Sequence, residues 1–349
     1  MIDTHTIDRF ILRSVAEHPK DLVTHTARRF GLSRQGAYRH VRRLVGAGLL
    51  RAQGQTRARE YALPLLVDMA LDLPVDPTVQ EDVVWREAVL PEIGPLGENS
   101  RRILQYGFTE ILNNAVVHSE GHAIFVGVRQ TPIQVEFEIR DDGVGIFRKL
   151  QRDLGLEDER HSILELSKGK LTTDPSRHTG EGIFFTSRAV DSFSIASLDL
   201  ELVHDAIRGD WLIDTMDFGP GTQVNMQIDV ETGRTLKEVF DRFASSEEDY
   251  GFTRTRVPVS LARYGDENLV SRSQAKRLLA RFDRFQEVIL DFEKVSTIGQ
   301  AFADEIFRVF ATEHPEVHIR WTRANAEVDA MIRRARRAGG AVTGDEQRG

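Results

Sequence analysis

Glu110, Asn114 and His118 stand four residues apart within GFTEILNNAVVHSEG. A carboxylate, an amide and an imidazole in one row could hold a cation, orient a water or move a proton. Phe108, Ile111, Leu112 and Ala115 recur at helical spacing beside them, so the segment reads as a helix with one apolar face to bury. A solvated polar face is the plain alternative, and the downstream residues weigh against it. The strand pattern IQVEFEIR, with Val135, Phe137 and Ile139 alternating with polar residues, runs into DDGVGI, where Asp141, Gly143 and Gly145 form D-x-G-x-G. HTGEGIFFTSRAV follows, with Gly180 and Gly182 opening a helix, and then GPGTQV sets Gly221 and Thr222 before a strand. Each is a common turn when met alone, but four in this order are hard to obtain by chance. His118 and His122 are spaced like a metal pair, yet Gly121 breaks the helix between them and no third ligand is evident, which disfavours zinc.

The order of these boxes resembles the GHKL ATPase superfamily, which includes gyrase, a heat-shock chaperone, mismatch-repair ATPases and histidine kinases. The likeness covers about residues 85–230, and EILNNAVVH is most similar to the anti-sigma-factor serine kinases. It implies a mixed sheet covered on one face by helices, with ATP between helices and a flexible lid. Residue by residue, it implies that Asn114 offers its amide oxygen to Mg2+ and that Glu110 acts as the catalytic group on an attacking water or hydroxyl. His118 would lie near the phosphates. Asp141 would accept the adenine amino proton, Gly143 and Gly145 would let the backbone approach the purine, and Thr222 would support the base. Gly180 and Gly182 would turn amides and a helix N-terminus toward phosphate. Phe147 to Thr179 would form the lid, with Lys168, Lys170 and Arg177 available to phosphate. The chain departs from the pattern at His178, where many relatives carry another glycine. No phosphoacceptor-histidine helix precedes the domain, which argues against autophosphorylation on histidine.

The elements that must position these residues belong to a chain of 349 residues, long enough for two or three domains, with 40% hydrophobic residues. No cysteine is present, which excludes disulfides, thiolate zinc sites and thiol nucleophiles. The N-terminus is too polar for a signal peptide and no apolar run is long enough to span a membrane, so a cytoplasmic protein is expected. The net charge of −8 is unevenly spread: residues 1–64 carry twelve Arg and Lys against five Asp and Glu, a net of +7. A basic head on an acidic body points to a polyanionic partner.

In that head, Ser33 can cap a second short helix on which Ala37, Val41, Leu44 and Val45 make an apolar face. Arg34, Gln35, Tyr38, Arg39, Arg42 and Arg43 project elsewhere, and LLRAQGQTRAREYAL reads as a hairpin with Arg51, Arg57 and Arg59 near its tip. This layout resembles the winged helix-turn-helix domains of bacterial regulators. The resemblance implies double-stranded DNA as partner, with the second helix in the major groove and the wing on phosphate. A winged helix used only for protein contacts or dimerisation is the alternative.

The last block alternates strand and helix three times. EVILDFEKVSTIGQAFADEIFRVF resembles the central strand–turn–helix of STAS domains, although its turn, Ile298 to Ala301, lacks the phosphoacceptor serine of that family. A docking or regulatory module with a protein partner is the reading this favours. The fold class expected is thus multidomain α+β: a winged helix-turn-helix over 1–65, a GHKL α/β sandwich over 80–230 and a STAS-like α/β domain over 251–337. The function expected is an ATP-responsive transcription regulator, with room for a homodimer. A serine/threonine kinase of a partner-switching pathway and a DNA-associated ATPase are the alternatives.

Overall fold

The computed structural model describes residues 3–55, 58–171, 180–214, 218–244, 251–263 and 267–338. Three helices, α1 (Thr4–Ser14), α2 (Leu22–Phe30) and α3 (Arg34–Gly46), precede a small antiparallel hairpin of β1 (Arg51–Gln53) and β2 (Glu60–Ala62). Gly31 ends α2 in the left-handed region at φ 64°, and the Ser33 hydroxyl accepts from Gly36 N at 3.0 Å to start α3. Ile7, Ile11, Leu22, Val41, Leu44 and Tyr61 close a core within this head, and Ile133 of the central domain packs against it.

The central sheet begins earlier than the sequence suggested. Strand β3 (Val67–Pro74) pairs antiparallel with β4 (Ala123–Gln130) along its whole length, ahead of the expected start at 80. Val67, Met69, Leu71 and Leu73 alternate with more exposed residues, and Pro74 is tolerated because the strand lies at the sheet edge. Between β3 and β4 the chain forms α4 (Glu81–Val84), a π-helical turn over Trp85–Val89, and the 21-residue helix α5 (Glu98–His118). Next come β5 (Gln134–Asp141), α6 (Ile146–Leu154), α7 (Glu159–Lys168) and α8 (Gly182–Ala189). Four further strands, β6 (Ser192–Ser197), β7 (Leu200–Asp205), β8 (Gly209–Asp214) and β9 (Gln223–Asp229), lead to α9 (Leu236–Asp241).

The seven strands run in the order β3-β4-β5-β9-β6-β7-β8. All six pairings are antiparallel, which corrects the mixed sheet that the resemblance implied. Helices do cover one face: Val135, Phe137 and Ile139 of β5 are buried against α5, while Glu136, Glu138 and Arg140 face away. Gly107 lets α5 cross α8 closely, since a β-carbon there would press on Thr186 and Met226.

The C-terminal part is built on three parallel strands, β10 (Arg254–Pro258), β11 (Glu287–Asp291) and β12 (His318–Thr322), in that order. Helix α10 (Arg272–Leu279) connects the first two strands. A continuous helical run connects the next two, formed by α11 (Gln300–Asp304), a π-helical stretch over Glu305–Phe310 and α12 (Ala311–Glu313). Helix α13 (Ala326–Ala338) ends the described chain. This part does not hang from a linker. Its buried residues join those of the seven-stranded unit in one core, stitched by Phe184, Phe243, Phe252 and Phe285, with Phe252 4.7 Å from Phe184 and 5.4 Å from Phe285.

Candidate functional site

At the end of β5 several backbone segments approach closely, at Gly121, Gly143, Gly145 and Gly221. Asp141 is 6% exposed, and its Oδ1 accepts from Gly143 N at 2.9 Å and Thr222 N at 3.2 Å. Asp141 N in turn donates to Thr222 O at 3.0 Å, and the Thr222 hydroxyl accepts from Ile146 N at 3.0 Å at the start of α6. The D-x-G-x-G turn and the later G-T pair, 81 residues apart, are therefore one structure. Any β-carbon on Gly143 would overlap the Ser119 carbonyl at the end of α5, and one on Gly221 would overlap the Asp141 carbonyl. Gly145, at φ 86°, takes a backbone form that L side chains rarely adopt, and the Ser197 hydroxyl packs against it.

Burial pushes the Asp141 carboxyl above the ordinary carboxylate range, against the pull of its two amide donors. A buried carboxylate so placed has one edge fixed and favours a hydrogen-bond donor on the other. Asp142 behaves differently. Its carboxyl is held low by bonds from Ala123 N and His122 N, at 2.9 and 2.6 Å, so it locks the β4 entrance.

The row Glu110, Asn114, His118 runs along α5 and all three side chains are half-buried. Glu110 meets the start of α8: a β-carbon on Gly182 would overlap its carboxylate. The helix N-terminus favours a negative charge there. Tyr106, one turn earlier, has its phenol pushed up by burial and then by the charges of Glu110 and Glu181. Glu181 is itself lifted by burial, with Lys170 opposing. Neither Tyr106 nor Glu181 carried a motif that sequence reading could have used, and neither did Ser197, whose hydroxyl donates to Gly221 O at 2.9 Å. Gly180 stands at φ 70° just before α8, and its carbonyl accepts from Leu171 N at 3.1 Å.

Two expected phosphate ligands lie elsewhere. Lys168 is 1% exposed, and its ammonium binds Glu165 at 2.5 Å and the carbonyls of Ala280 and Arg277 at 2.9 and 3.3 Å. It is committed to the end of α10, a helix C-terminus that favours a cation, so the expectation that it serves phosphate is corrected. Lys170 also turns to the C-terminal part. It donates to Arg284 O at 3.0 Å and lies over the rings of Phe252 and Phe285. Arg177 and His178 lie outside the described residues, as does most of the last third of the expected lid. The nearer part of that segment forms α6 and α7. Among the described residues no group of three or more His, Asp or Glu could hold a metal ion.

On the head, Arg34, Gln35, Tyr38, Arg39, Arg42 and Arg43 are all exposed on α3. Arg43 is engaged with Asp8 of α1, while Arg59 reaches from the hairpin to the Tyr38 hydroxyl at 3.5 Å. Arg57 lies outside the described residues. The head is tied to the central sheet: Arg9 and Arg13 of α1 both pair with Asp229 at the end of β9, the latter at 2.6 Å, and His5 meets Glu231 at 2.9 Å.

Residues 83–202 match the family described as a histidine kinase-like ATPase domain, and residues 274–329 match a STAS-like domain of unknown function. Comparison with curated proteins gave no match. The chain thus carries a histidine kinase-like ATPase domain joined to a STAS-like domain, a pairing that supports a nucleotide-switch regulator. Such an ATPase domain implies ATP binding, typically with Mg2+. No described helix is long and apolar enough to cross a membrane.

Proposed function

We propose that the chain is an ATP-responsive transcription regulator, in which the nucleotide sets the relation between a DNA-binding head and the STAS-like domain. The observation that carries this reading is the placement of α7. This helix follows the Asp141 turn in sequence, precedes Gly180 and Gly182, and is fastened to the end of α10 through Lys168. Anything that reshapes the segment between the two glycine boxes acts directly on the STAS-like domain.

The residues fit the group that the family implies. Asp141 and Thr222 would hold adenine, and the glycines at 143, 145 and 221 make a cradle that β-carbons would fill. Asn114 supplies one neutral oxygen, which suits Mg2+, an ion that keeps most of its shell in water and phosphate oxygens. When bound, Mg2+ offsets phosphate charge. Glu110, beside the N-terminus of α8, is placed to orient or accept a proton from a nucleophile.

The head is read as a winged helix-turn-helix. Arg34, Gln35, Tyr38, Arg39 and Arg42 share the open side of α3, the surface that would enter a major groove, with Arg57 and Arg59 of the wing on phosphate. Strand β9 links the two functions. Thr222, just before it, binds Asp141, and Asp229, its last residue, binds Arg9 and Arg13. The test is selection of duplex DNA by the full chain, with and without Mg-ATP. A preferred sequence whose affinity changes with nucleotide is expected. Equal affinity with and without bound ATP overturns the switch, and absence of DNA binding at low salt overturns the regulator.

A further inference from the structure

A cavity of about 400 Å3 lies between the β7–β8 hairpin and the STAS-like domain, away from the Asp141 turn. Its floor is the face of β10 and β11 opposite the helices. Val257, Val288 and Leu290 point to the helical side and are fully buried, whereas Arg256, Ile289 and Asp291 line the cavity. Parallel sheets are ordinarily covered on both faces, and here the second face is charged and only partly roofed by another domain. The roof comes from His204 to Asp210 and from Arg188 of α8.

Six lining side chains are cationic and four are carboxylates. The carboxylates are already satisfied. Asp210 takes Arg188 at 2.6 Å and His204, Asp291 takes Arg256 at 2.8 Å and Arg323, and Glu293 takes Arg323 at 2.6 Å. Asp205 accepts from Ile207 N and Arg208 N of its own turn, both at 2.9 Å. Arg242 and Lys294 line the same cavity, and among the described residues neither has a carboxylate at ion-pair distance. Two of the cations also stand on unusual backbone. Lys294, at φ 64°, and Arg323, at φ 54°, occupy the left-handed region just beyond the carboxyl ends of β11 and β12. Non-glycine residues held there are strained, and such strain gathers at ligand clamps. The carboxyl ends of parallel strands are also where open α/β sheets bind ligands, and domain interfaces are favoured positions for pockets of this size.

We infer that this cavity binds a small organic anion, a phosphate ester or a di- or tricarboxylate, whose charged end meets Lys294 and Arg242 while its carbon part lies on Ile289, Phe243 and Pro258. The bound anion touches both domains, so it acts as an input to the STAS-like domain separate from the nucleotide.

The test is thermal unfolding of the full chain, without Mg2+, in pyrophosphate or succinate at millimolar concentration, against sodium chloride of equal ionic strength. At least one of the two probes should raise the midpoint by about 2–5 °C. The Arg242→Gln/Lys294→Gln pair, both exposed and so expected to fold, should abolish that rise, and each single substitution should reduce it. A response to pyrophosphate alone assigns the phosphate class, and one to succinate alone the carboxylate class. No rise with either probe overturns the proposal, and so does a rise that survives in the double variant, since the anion then binds elsewhere.

Discussion

Lys168 of α7 donates to the carbonyl of Ala280, 112 residues further along the chain, at 2.9 Å, inside a contact from which water is excluded. Its charge is balanced by Glu165, which is 1% exposed. Burial lowers the lysine and raises the glutamate, but for Glu165 the neighbouring His161, 3.5 Å away, and the bond from Lys168 outweigh burial, and its carboxyl ends below the usual range. The pair closes at 2.5 Å, and through the Ala280 and Arg277 carbonyls Lys168 fastens the ATPase domain to the STAS-like domain. The Thr255 hydroxyl, donating to Lys168 O at 2.6 Å, adds to the weld from β10.

Lys168→Met should therefore destabilise the whole protein rather than one domain. It leaves the Glu165 carboxylate buried without its ammonium, at a cost of about 3–5 kcal/mol. Lys168→Met/Glu165→Met should recover much of that loss. Chemical denaturation of the three variants checks this. A Lys168→Met protein as stable as the wild type would show that the two domains do not depend on this contact.

Asp141→Asn separates stability from binding. The folded-state pKa of Asp141 is raised by burial, so its contribution to stability is fully present below the unfolded value of 3.8 and is lost as pH rises through the folded value. Once ionised, the group is a liability to the fold. The asparagine keeps an oxygen for Gly143 N and Thr222 N but no charge, so the unfolding midpoint at pH 7 should not fall. ATP affinity should drop more than tenfold, about 1.5–3 kcal/mol, if the carboxylate accepts from adenine. Calorimetry on the folded variant decides.

These contrasts show where sequence was sufficient. Asp141, Gly143 and Thr222 were legible because a turn that must approach other backbone allows few residue types. Val135, Phe137 and Ile139 were legible because one face of β5 is buried and period 2 follows. Lys168 was misread, since a lysine between glycine boxes looks the same whether it faces phosphate or a helix end 112 residues away. Strand β3 was missed because its alternation is only half-buried and ends in a proline that an edge strand tolerates. The shared core of the last two domains was not legible either, because Phe184, Phe252 and Phe285 meet only after folding.

Acid should loosen the β7–β8 hairpin in a defined window. Burial raises the Asp210 carboxyl, but Arg188 and His204 more than compensate and hold it at about 2. A depressed carboxylate stabilises above its unfolded pKa of 3.8, and that stability disappears as pH falls through about 2. His204 is lowered by burial and by Arg188, so it adds a loss that begins as pH falls below 6.5. Asp210→Asn should be less stable than the wild type at pH 7, and its stability should decline less between pH 4 and 2. Parallel acid-unfolding curves for the two proteins would remove the pair from the account.

If the head binds DNA as proposed, Arg39→Ala and Arg42→Ala should weaken binding to a selected operator and relax its sequence preference, by about 1–3 kcal/mol where the side chain meets a base. Arg59→Ala should weaken all duplexes alike and reduce the salt slope by about one. A titration across salt concentrations with two unrelated duplexes distinguishes them. Identical effects of all three changes on both duplexes would make α3 a phosphate contact rather than a reader.

Glu110 carries the question of chemistry. Its carboxylate lies against Gly182, at a helix N-terminus that steadies negative charge, beside Tyr106 and Glu181. Asn114 is one turn away on α5, and the proposed reading gives it a different task. If its amide oxygen meets the cation, Asn114→Ala should weaken Mg-ATP while leaving metal-free nucleotide little changed. Glu110→Gln keeps the shape and removes only the charge, so nucleotide affinity should hold. Turnover should fall by about 10²-fold or more if the carboxylate accepts a proton from the nucleophile. Phosphate release and transfer to protein, measured on both variants, give the answer. If Glu110→Gln turns over at the wild-type rate, the carboxylate serves the packing of α5 on α8 and no proton passes through it.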